Sequence, residues 1–149
     1  MKWSSCRGGC VDAWVFVMNA QPLKVLVWNV RGLNARARRN ALYQVVTTAN
    51  PAIVCLQETK LHDVSINIVW QCLGNKFKKF YYLPMVGARG GILLACDALV
   101  VQLTNPHTTT NTLTVVVKPV EGPKWWITRV YSPQLDAEKI EFLRELVDV

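Results

Sequence analysis

Two apolar runs of strand length each end in polar residues that a buried strand does not need. Residues 26–28 lead into Asn29, and residues 53–56 lead into Gln57 and Glu58. Amide and carboxylate oxygens are hard ligands that suit Mg²⁺ in proteins. Asn29 and Glu58 therefore supply half of a candidate metal site, provided that the ends of the two strands meet.

The segment between these runs has the spacing of an amphipathic helix. Its apolar residues recur at i, i+3, i+4 and i+7, which predicts one buried helix face over residues 34–49. Asn34 is the predicted N-terminal cap, and Pro51 disfavours continuation beyond Asn50. A strand, a helix and a strand in this order predict two parallel strands. Their carboxyl ends then share one sheet edge, where open α/β sheets place their ligands.

Four short motifs occur in a fixed order: WNVRG at residues 28–32, LQETK at 56–60, RGGILL at 89–94 and VYSP at 130–133. Together they resemble the endonuclease/exonuclease/phosphatase family, and most of all the endonuclease domain of plant LINE-type (non-LTR) retrotransposons. The resemblance covers residues 24–149. It implies an α/β fold, namely a two-sheet α/β sandwich, and a magnesium-dependent phosphodiesterase that cuts DNA.

The resemblance also implies roles for individual residues. Asn29 and Glu58 correspond to the metal-binding positions, with Mg²⁺ as the expected cofactor. Tyr131 corresponds to a tyrosine that contacts the scissile phosphate and stabilises its developing charge. Ser132 stands where the family usually has glycine, which puts the geometry of that turn in doubt. Because the chain offers only two metal ligands, weak Mg²⁺ binding is expected.

Two later family motifs, Gly-Asp-x-Asn and Ser-Asp-His, do not occur in the sequence. In the family they position the attacking water and complete its activation. We therefore expect residues 23–149 to be the N-terminal part of an incomplete sandwich, inactive alone, with another chain as one candidate source of the missing half. Residues 1–22 form an unmatched extension. Apolar strands such as residues 92–95 and 125–127 are expected to lack cover and to promote aggregation.

The net charge of +7 is uneven, since residues 1–134 carry +10 and residues 135–149 carry −3. A basic body favours a polyanionic partner such as duplex DNA, bound largely without sequence specificity. Three arginines crowd the first turn of the predicted helix, where the helix dipole disfavours positive charge. Two interpretations of these arginines remain open: they form a solvated helix face, or they contact phosphate groups. The candidate nucleic-acid-binding residues are Arg31, Arg36, Arg38, Arg39, Lys60 and Arg89.

Two other functions remain open beside the truncated endonuclease. One is a basic nucleic-acid-binding remnant without chemistry. The other is a fragment of a phosphatase of the same family that acts on small phosphoesters. The cluster of arginines near the predicted site and the LINE-like motifs favour a polynucleotide over a small substrate.

Cys55, Cys72 and Cys96 lie in apolar surroundings, which is typical of buried free thiols. They favour a reducing, intracellular location, nuclear or cytoplasmic. Cys6 and Cys10 have no second pair to complete a zinc site.

The apolar run at residues 13–18 is too short to span a bilayer, so no membrane association is expected. Residues 14–17 are a candidate edge strand.

The rest of the chain predicts one helix, five strands and a last helix. The first of these helices covers residues 64–73, with Asp63 as its cap, Trp70 in the core and Gly74 as its end. The last covers residues 135–147 and is expected to bury Ile140, Leu143 and Val147. Turn residues that include Asn105-Pro106 separate the strands, and His107 is expected in a loop. The strands, predicted to form an antiparallel meander, are residues 80–83, 91–95, 99–103, 113–117 and 125–131.

Overall fold

The computed structural model describes residues 23–87, 89–133 and 135–147, which form two sheets and three helices. The candidate strand at residues 14–17 and the Cys6/Cys10 pair lie outside the described residues. In chain order the elements are β1 (Val25–Asn29), α1 (Arg36–Ala49), β2 (Ile53–Gln57), α2 (Ile66–Leu73), β3 (Lys79–Leu83), β4 (Ile92–Cys96), β5 (Val101–Thr108), β6 (Thr112–Pro119), β7 (Trp125–Val130) and α3 (Asp136–Val147).

The strands divide into a mixed sheet and an antiparallel sheet. The first has the order β1-β2-β4-β3, with β1 and β2 parallel and the other neighbours antiparallel. The second is β5-β6-β7. The predicted parallel pair joined by α1 is present, and the predicted α/β sandwich of two sheets is confirmed. The predicted single meander is correct only for β5 to β7, because β4 lies between β2 and β3.

Each face of the first sheet is covered by a different layer. On one face α1 and α2 pack over residues such as Leu56 and Leu93. On the other face Ile92 and Leu94 pack against β5 and β6. All five residues of β4 are buried. The expectation that residues 92–95 lack cover is therefore wrong, because the chain itself supplies both layers that enclose them.

The caps of α1 and α2 differ from the predicted ones, and the predicted cap of α1 is bonded to another group. Asn34 donates from Nδ2 to the Lys60 carbonyl oxygen at 3.0 Å, so α1 starts after Ala35 without a side-chain cap. Ser65, not Asp63, caps α2, and its Oγ accepts from the Ile68 amide at 3.3 Å. Gly74 ends α2 as predicted.

Several apolar helix residues that were expected in the core are exposed. Trp70 is 40% exposed, and Ile140 and Leu143 of α3 are 60% and 61% exposed. Val147 is exposed as well, whereas Phe142 is the buried residue of α3. The apolar spacing predicted the helix correctly but selected the wrong face, because α3 packs through the face that carries Phe142.

Asn105 and Pro106 lie inside β5 and not in a turn. The register of β5 with β6 shifts between Thr104 and His107, and Asn105 has a left-handed φ of 50°. Proline is tolerated in an edge strand at such an irregularity, because its missing N–H is not needed for the ladder. His107 is accordingly an exposed strand residue, and its predicted place in a loop is wrong.

The three cysteines in the described residues are buried free thiols, as expected. Burial raises the pKa of Cys55 to about 12 and those of Cys72 and Cys96 to about 11. Such thiols stay protonated and unreactive near neutral pH.

None of the helices within residues 23–87, 89–133 and 135–147 is long and apolar enough to cross a membrane.

Candidate active site

The loops that follow β1 and β2 remain paired beyond the strands. The Val30 amide donates to the Gln57 carbonyl at 3.0 Å, and the Gly32 amide donates to the Glu58 carbonyl at 2.7 Å. The ladder itself places Asn29 opposite Gln57. The two polar ends that the sequence singles out therefore lie at the same edge of the first sheet.

Asn29 is exposed at the end of β1 and shapes the turn after it. Its Oδ1 accepts from the Arg31 amide at 3.2 Å. Arg31 adopts a left-handed φ of 51°, and Gly32 has a φ of 105°, which glycine adopts at no steric cost. One lone pair of the Asn29 oxygen is thus used by the turn, and the other remains for a ligand.

Glu58 and Lys60 both have left-handed backbones, with φ of 54° and 57°. Non-glycine residues in this region carry strain of about 1–3 kcal/mol each, and such residues cluster at functional sites. The strained segment is held from the other side, because the Lys60 amide donates to the Gly90 carbonyl at 2.6 Å. The loop that carries the RGG motif therefore fixes the segment that presents Glu58.

The two glycines of this motif allow that close approach. A Cβ atom on Gly90 would lie 2.8 Å from the Glu58 Cα, and one on Gly91 would lie 2.6 Å from the Thr59 Oγ1. Real Cβ atoms do not approach other heavy atoms this closely. Glycine at these positions is explained by contact with the Glu58 segment.

Tyr131 reaches the same edge from the second sheet. The Gln57 side chain donates from Nε2 to the Val130 carbonyl at 2.6 Å, and the Tyr131 amide donates to the Asn111 carbonyl at 2.8 Å. Gln57 thus neighbours Glu58 in the chain, Asn29 across the ladder and Val130 across the sheets. The backbone at Asn29, Glu58 and Tyr131 is thus held at one edge of the two sheets through bonds to or beside Gln57.

A cavity of about 480 Å³ opens beside Tyr131. Arg89 and three glutamates of α3, namely Glu138, Glu141 and Glu145, are among its lining residues. Arg89 donates through Nη1 to the Thr110 carbonyl, so it joins the RGG loop to the β5–β6 hairpin. Arg89, which is a predicted DNA contact, therefore also forms a hydrogen bond that connects two parts of the fold.

The other predicted nucleic-acid contacts differ in how they are held. Arg31 and Lys60 lie in the paired loops next to Asn29 and Glu58. Arg36 is exposed at the start of α1, and Arg38 donates through Nη1 to the Arg31 carbonyl. These four basic residues therefore lie on the loops and the helix start next to the edge where the candidate ligands lie.

Arg39 is the most constrained of the predicted contacts. Its Nη1 donates to the Leu33 carbonyl at 2.8 Å and to the Asn34 carbonyl at 3.1 Å, while its Nε is buried without a partner. These bonds close the loop after β1 from the first turn of α1. They explain why arginines occur where the helix dipole disfavours them: they satisfy carbonyl groups of the loop.

The ligands at this edge suit a hard divalent cation that keeps most of its water. Glu58 supplies a carboxylate and Asn29 an amide oxygen, and Mg²⁺ often binds with one or two carboxylates and several waters. Within the described ranges, no group of three or more His, Cys, Asp or Glu residues is placed to share a metal ion. The residues present fit weak binding and do not form a complete metal cage.

Glu145 attaches α3 to the second sheet. Its carboxylate accepts from the Thr109 hydroxyl, from the Asn111 amide at 2.9 Å and from the Asn111 Nδ2 at 3.0 Å. Burial opposes ionisation, but the bonds from Thr109 and Asn111 outweigh it, so the pKa of Glu145 lies below its ordinary value. Asn111 also holds Tyr131, so this carboxylate supports the candidate site indirectly.

We expect Glu145→Gln to lower the free energy of unfolding at pH 7 by about 1–2 kcal/mol, the scale of hydrogen bonds to a charged group. The pKa is lower in the folded state, so the carboxylate stabilises the fold above the unfolded pKa of about 4.3. That contribution is lost as pH falls through the folded pKa. Urea unfolding at pH 7 and below pH 4 should show that the difference in free energy of unfolding between parent and variant is smaller at the lower pH.

Glu141→Gln is the control, because Glu141 is exposed and an exposed ion pair contributes little. An equal loss in both variants would contradict the assignment.

Sequence reasoning missed three residues that organise this region: Gln57, Asn111 and Glu145. Gln57 was visible as a polar residue at the end of an apolar strand, but nothing in the sequence indicated its partner on β7. Asn111 and Glu145 are 34 positions apart, and nothing in the sequence around either residue indicates that they are hydrogen-bonded. Their pairing depends on how α3 packs against the β5–β6 hairpin.

The paired strand ends, the two-sheet sandwich and the ligands at its edge define an α/β protein of the nuclease and phosphatase type. A profile of the Endonuclease/Exonuclease/phosphatase family matches residues 26–147. The chain belongs to this family. Its members generally depend on a divalent metal. No curated protein sequence matches the chain.

Two solved structures show the same fold at low sequence identity. The human nocturnin catalytic domain with bound sulfate is 17% identical, with a TM-score of 0.53, over 83% of this chain and 57% of that one. The AP endonuclease of Leishmania major is 19% identical, with a TM-score of 0.51, over 79% of this chain and 43% of that one. The chain thus spans about half the length of these structures.

Proposed function

We propose that this chain is part of a DNA endonuclease domain of retrotransposon origin, which binds Mg²⁺ and phosphate but does not cleave DNA on its own. The observation that carries the proposal is the convergence of Asn29, Glu58 and Tyr131 around Gln57. Four family motifs, from WNVRG to VYSP, end at or border this edge. Their LINE-like form supports the retrotransposon origin.

The roles follow from the chemistry of each group. Glu58 and Asn29 would hold Mg²⁺, which supplies positive charge to a phosphate oxygen when bound. The Tyr131 hydroxyl would donate a hydrogen bond to the phosphate as negative charge develops. Arg31 and Lys60, in the adjoining loops, would bind the phosphates on either side. The AP endonuclease among the similar structures supports a nucleic-acid substrate.

The proposed inactivity rests on two family motifs, Gly-Asp-x-Asn and Ser-Asp-His, which the printed sequence does not contain. Catalytic groups that act as a unit lose most of the rate when one is removed, often by a factor of about 10⁴ or more. A segment that carries these motifs would complete the site. Duplex DNA, bound largely without sequence preference, is the proposed substrate.

A nicking assay on supercoiled plasmid tests this proposal. We expect no Mg²⁺-dependent nicking by the chain alone, and nicking after addition of a family C-terminal segment that contains both motifs. Glu58→Ala should abolish the restored activity, and Tyr131→Phe should reduce it. Nicking by the chain alone that disappears in Glu58→Ala would contradict the proposed inactivity.

We expect Mg²⁺ to bind with a dissociation constant of about 1 mM or weaker, since only two protein oxygens are offered. Glu58→Ala should remove the binding, because it deletes the one carboxylate. Isothermal titration calorimetry measures both. Asp63→Ala is the matched control, since Asp63 is an exposed acid in the connection before α2. Micromolar affinity, or equal binding by Glu58→Ala, would contradict the site.

The alternative function is a nucleic-acid-binding module without chemistry. It is favoured by the incomplete set of metal ligands in the described part of the chain. The same nicking assay distinguishes the binding module from the endonuclease. A binding module would still bind DNA but would show no nicking after the C-terminal segment is added.

A further inference from the structure

Arg129 lies between the two sheets, close to the edge that carries the candidate site. Its ladder partner on β6, Leu113, is fully buried between the sheets. Ile127 and Tyr131, two positions away on either side, pack against the same inter-sheet core. Because side chains alternate along a strand, Arg129 faces the first sheet together with them. It therefore directly precedes Tyr131 on this face of β7.

The guanidinium of Arg129 lies near the thiol of Cys55 on the first sheet. Burial raises the pKa of Cys55 to about 12, and the nearby charge of Arg129 opposes that rise. Cys55 is two residues before Gln57, which is paired with Asn29 and bonds through Nε2 to the Val130 carbonyl at 2.6 Å. Two residues of a strand span about 7 Å. The guanidinium is therefore about one such step below the edge of the candidate site.

The positive charge of Arg129 has no counter-charge in the described part of the chain. Its Nε is buried without a hydrogen-bond partner, and burial lowers the pKa of the guanidinium. None of the ion pairs formed by residues 23–87, 89–133 and 135–147 includes it. Burying a charge without a partner is costly. An anion that reaches Arg129 is therefore favoured.

Other arginines near the site are already used by the fold. Arg38, Arg39 and Arg89 each donate through Nη1 to a carbonyl group of a loop. A phosphate that binds one of these guanidinium groups competes with a bond that holds the loop. The Nε of Arg129 makes no such bond, so it can donate to a phosphate oxygen without breaking one.

We propose that Arg129 is a further substrate-binding residue of the candidate site and pairs with the phosphate group bound at Asn29, Glu58 and Tyr131. This inference rests on the proposed function, because it requires a phosphate at that edge. An arginine stem packs along apolar surface while its charged end extends towards water. The guanidinium therefore reaches the edge from between the sheets.

The arrangement holds the phosphate from two directions. Arg31 and Lys60 approach it from the loops, and Arg129 approaches it from the inter-sheet side. A guanidinium presents paired N–H donors that match two phosphate oxygens, whereas a lysine ammonium binds as a point charge. A phosphate within a DNA strand and a phosphate at a strand terminus both offer such oxygens.

The test uses Arg129→Met in the full chain, because methionine keeps an unbranched apolar stem and removes the charge and the donors. Fluorescence anisotropy measures binding to a short duplex without terminal phosphates and to the same duplex with 5′-phosphates. We expect the variant to bind about tenfold more weakly, the lower range for a hydrogen bond to a charged group. Arg129→Lys should recover only part of the loss.

The two duplexes identify the source of the phosphate. Equal weakening with both assigns Arg129 to a phosphate within the strand, and weakening with the phosphorylated duplex alone assigns it to a terminal phosphate. Tyr131→Phe places the contact at the candidate site. The effects of Arg129→Met and Tyr131→Phe should be non-additive in the double variant, because both residues contact the same phosphate.

Urea unfolding without DNA distinguishes binding from a structural role. Arg129→Met should unfold at the same or a higher urea concentration, because it no longer buries an unpaired charge. Arg144→Met is the control for loss of one exposed positive charge and should leave both measurements nearly unchanged.

Unchanged affinity for both duplexes in Arg129→Met would overturn the inference and leave the proposed function standing. A lower unfolding midpoint with unchanged affinity would assign Arg129 a purely structural role. Failure of the parent chain to bind either duplex would contradict the proposed function itself.

Discussion

Replacing Arg36, Arg38 and Arg39 with alanine is expected to weaken binding to duplex DNA about a hundredfold or more at 0.1 M salt. Each phosphate contact contributes about −0.9 to the slope of log K against log salt, so three contacts contribute about −2.7. The slope should therefore become shallower by about that amount. Fluorescence anisotropy across a salt series measures both quantities on one duplex.

The control for this prediction removes the same charge from another part of the molecule. Lys118, Lys124 and Arg144 are exposed and lie on β6, before β7 and on α3. Their triple alanine variant should lose far less affinity and retain most of the slope. Equal losses in the two variants would mean that net charge, and not a track beside Asn29, controls binding. Because Arg38 and Arg39 also bond loop carbonyls, circular dichroism must show that the variant is folded.

Gly90→Ala is expected to have a large effect for a single methyl group added near the site. The new Cβ would lie 2.8 Å from the Glu58 Cα, a backbone atom that cannot rotate away. Overpacking of this kind typically costs about 1–3 kcal/mol. We expect a loss of that size in urea unfolding, together with loss of detectable Mg²⁺ binding as the Glu58 segment is displaced.

Gly87→Ala separates this steric effect from the cost of replacing glycine in general. A Cβ on Gly87 meets nothing within 4 Å, although its left-handed φ of 56° makes alanine mildly unfavourable. We expect a smaller loss of stability and unchanged Mg²⁺ binding. Intact Mg²⁺ binding in Gly90→Ala would show that the RGG loop does not position Glu58.

The sequence predicted the part of the fold that depends on local periodicity. The strand–helix–strand unit from β1 to β2 agrees with the prediction because its apolar spacing is regular and its carboxyl ends are polar. The predicted cap of α1 was wrong because its side chain has a distant partner. Asn34 bonds to Lys60, which is 26 positions away, and no local rule reveals that bond.

The remaining errors concern which surface an element buries. Trp70 and Ile140 satisfy the apolar spacing of their helices, yet both are exposed. Burial depends on the neighbouring layer, and for α3 that layer is set by the bonds of Glu145 to the β5–β6 hairpin. Likewise, Pro106 predicts a turn from composition, but the bulge at the edge of the sheet accommodates it within β5. The candidate ligands Asn29 and Glu58 were predictable because strand direction alone places them at one edge.

The bond between the Gln57 side chain and the Val130 carbonyl also fixes the register of β7. Side chains alternate along a strand, so a slip by one residue would turn Tyr131 and Arg129 outward and bring Trp126 and Thr128 inward. Most inter-sheet contacts are apolar and would resist such a slip only through packing. The Gln57 bond is directional, and a slipped strand would present a different carbonyl. The Gln57 side chain can therefore hold β7 in a single register. In that register Tyr131 lies at the sheet edge that also carries Glu58.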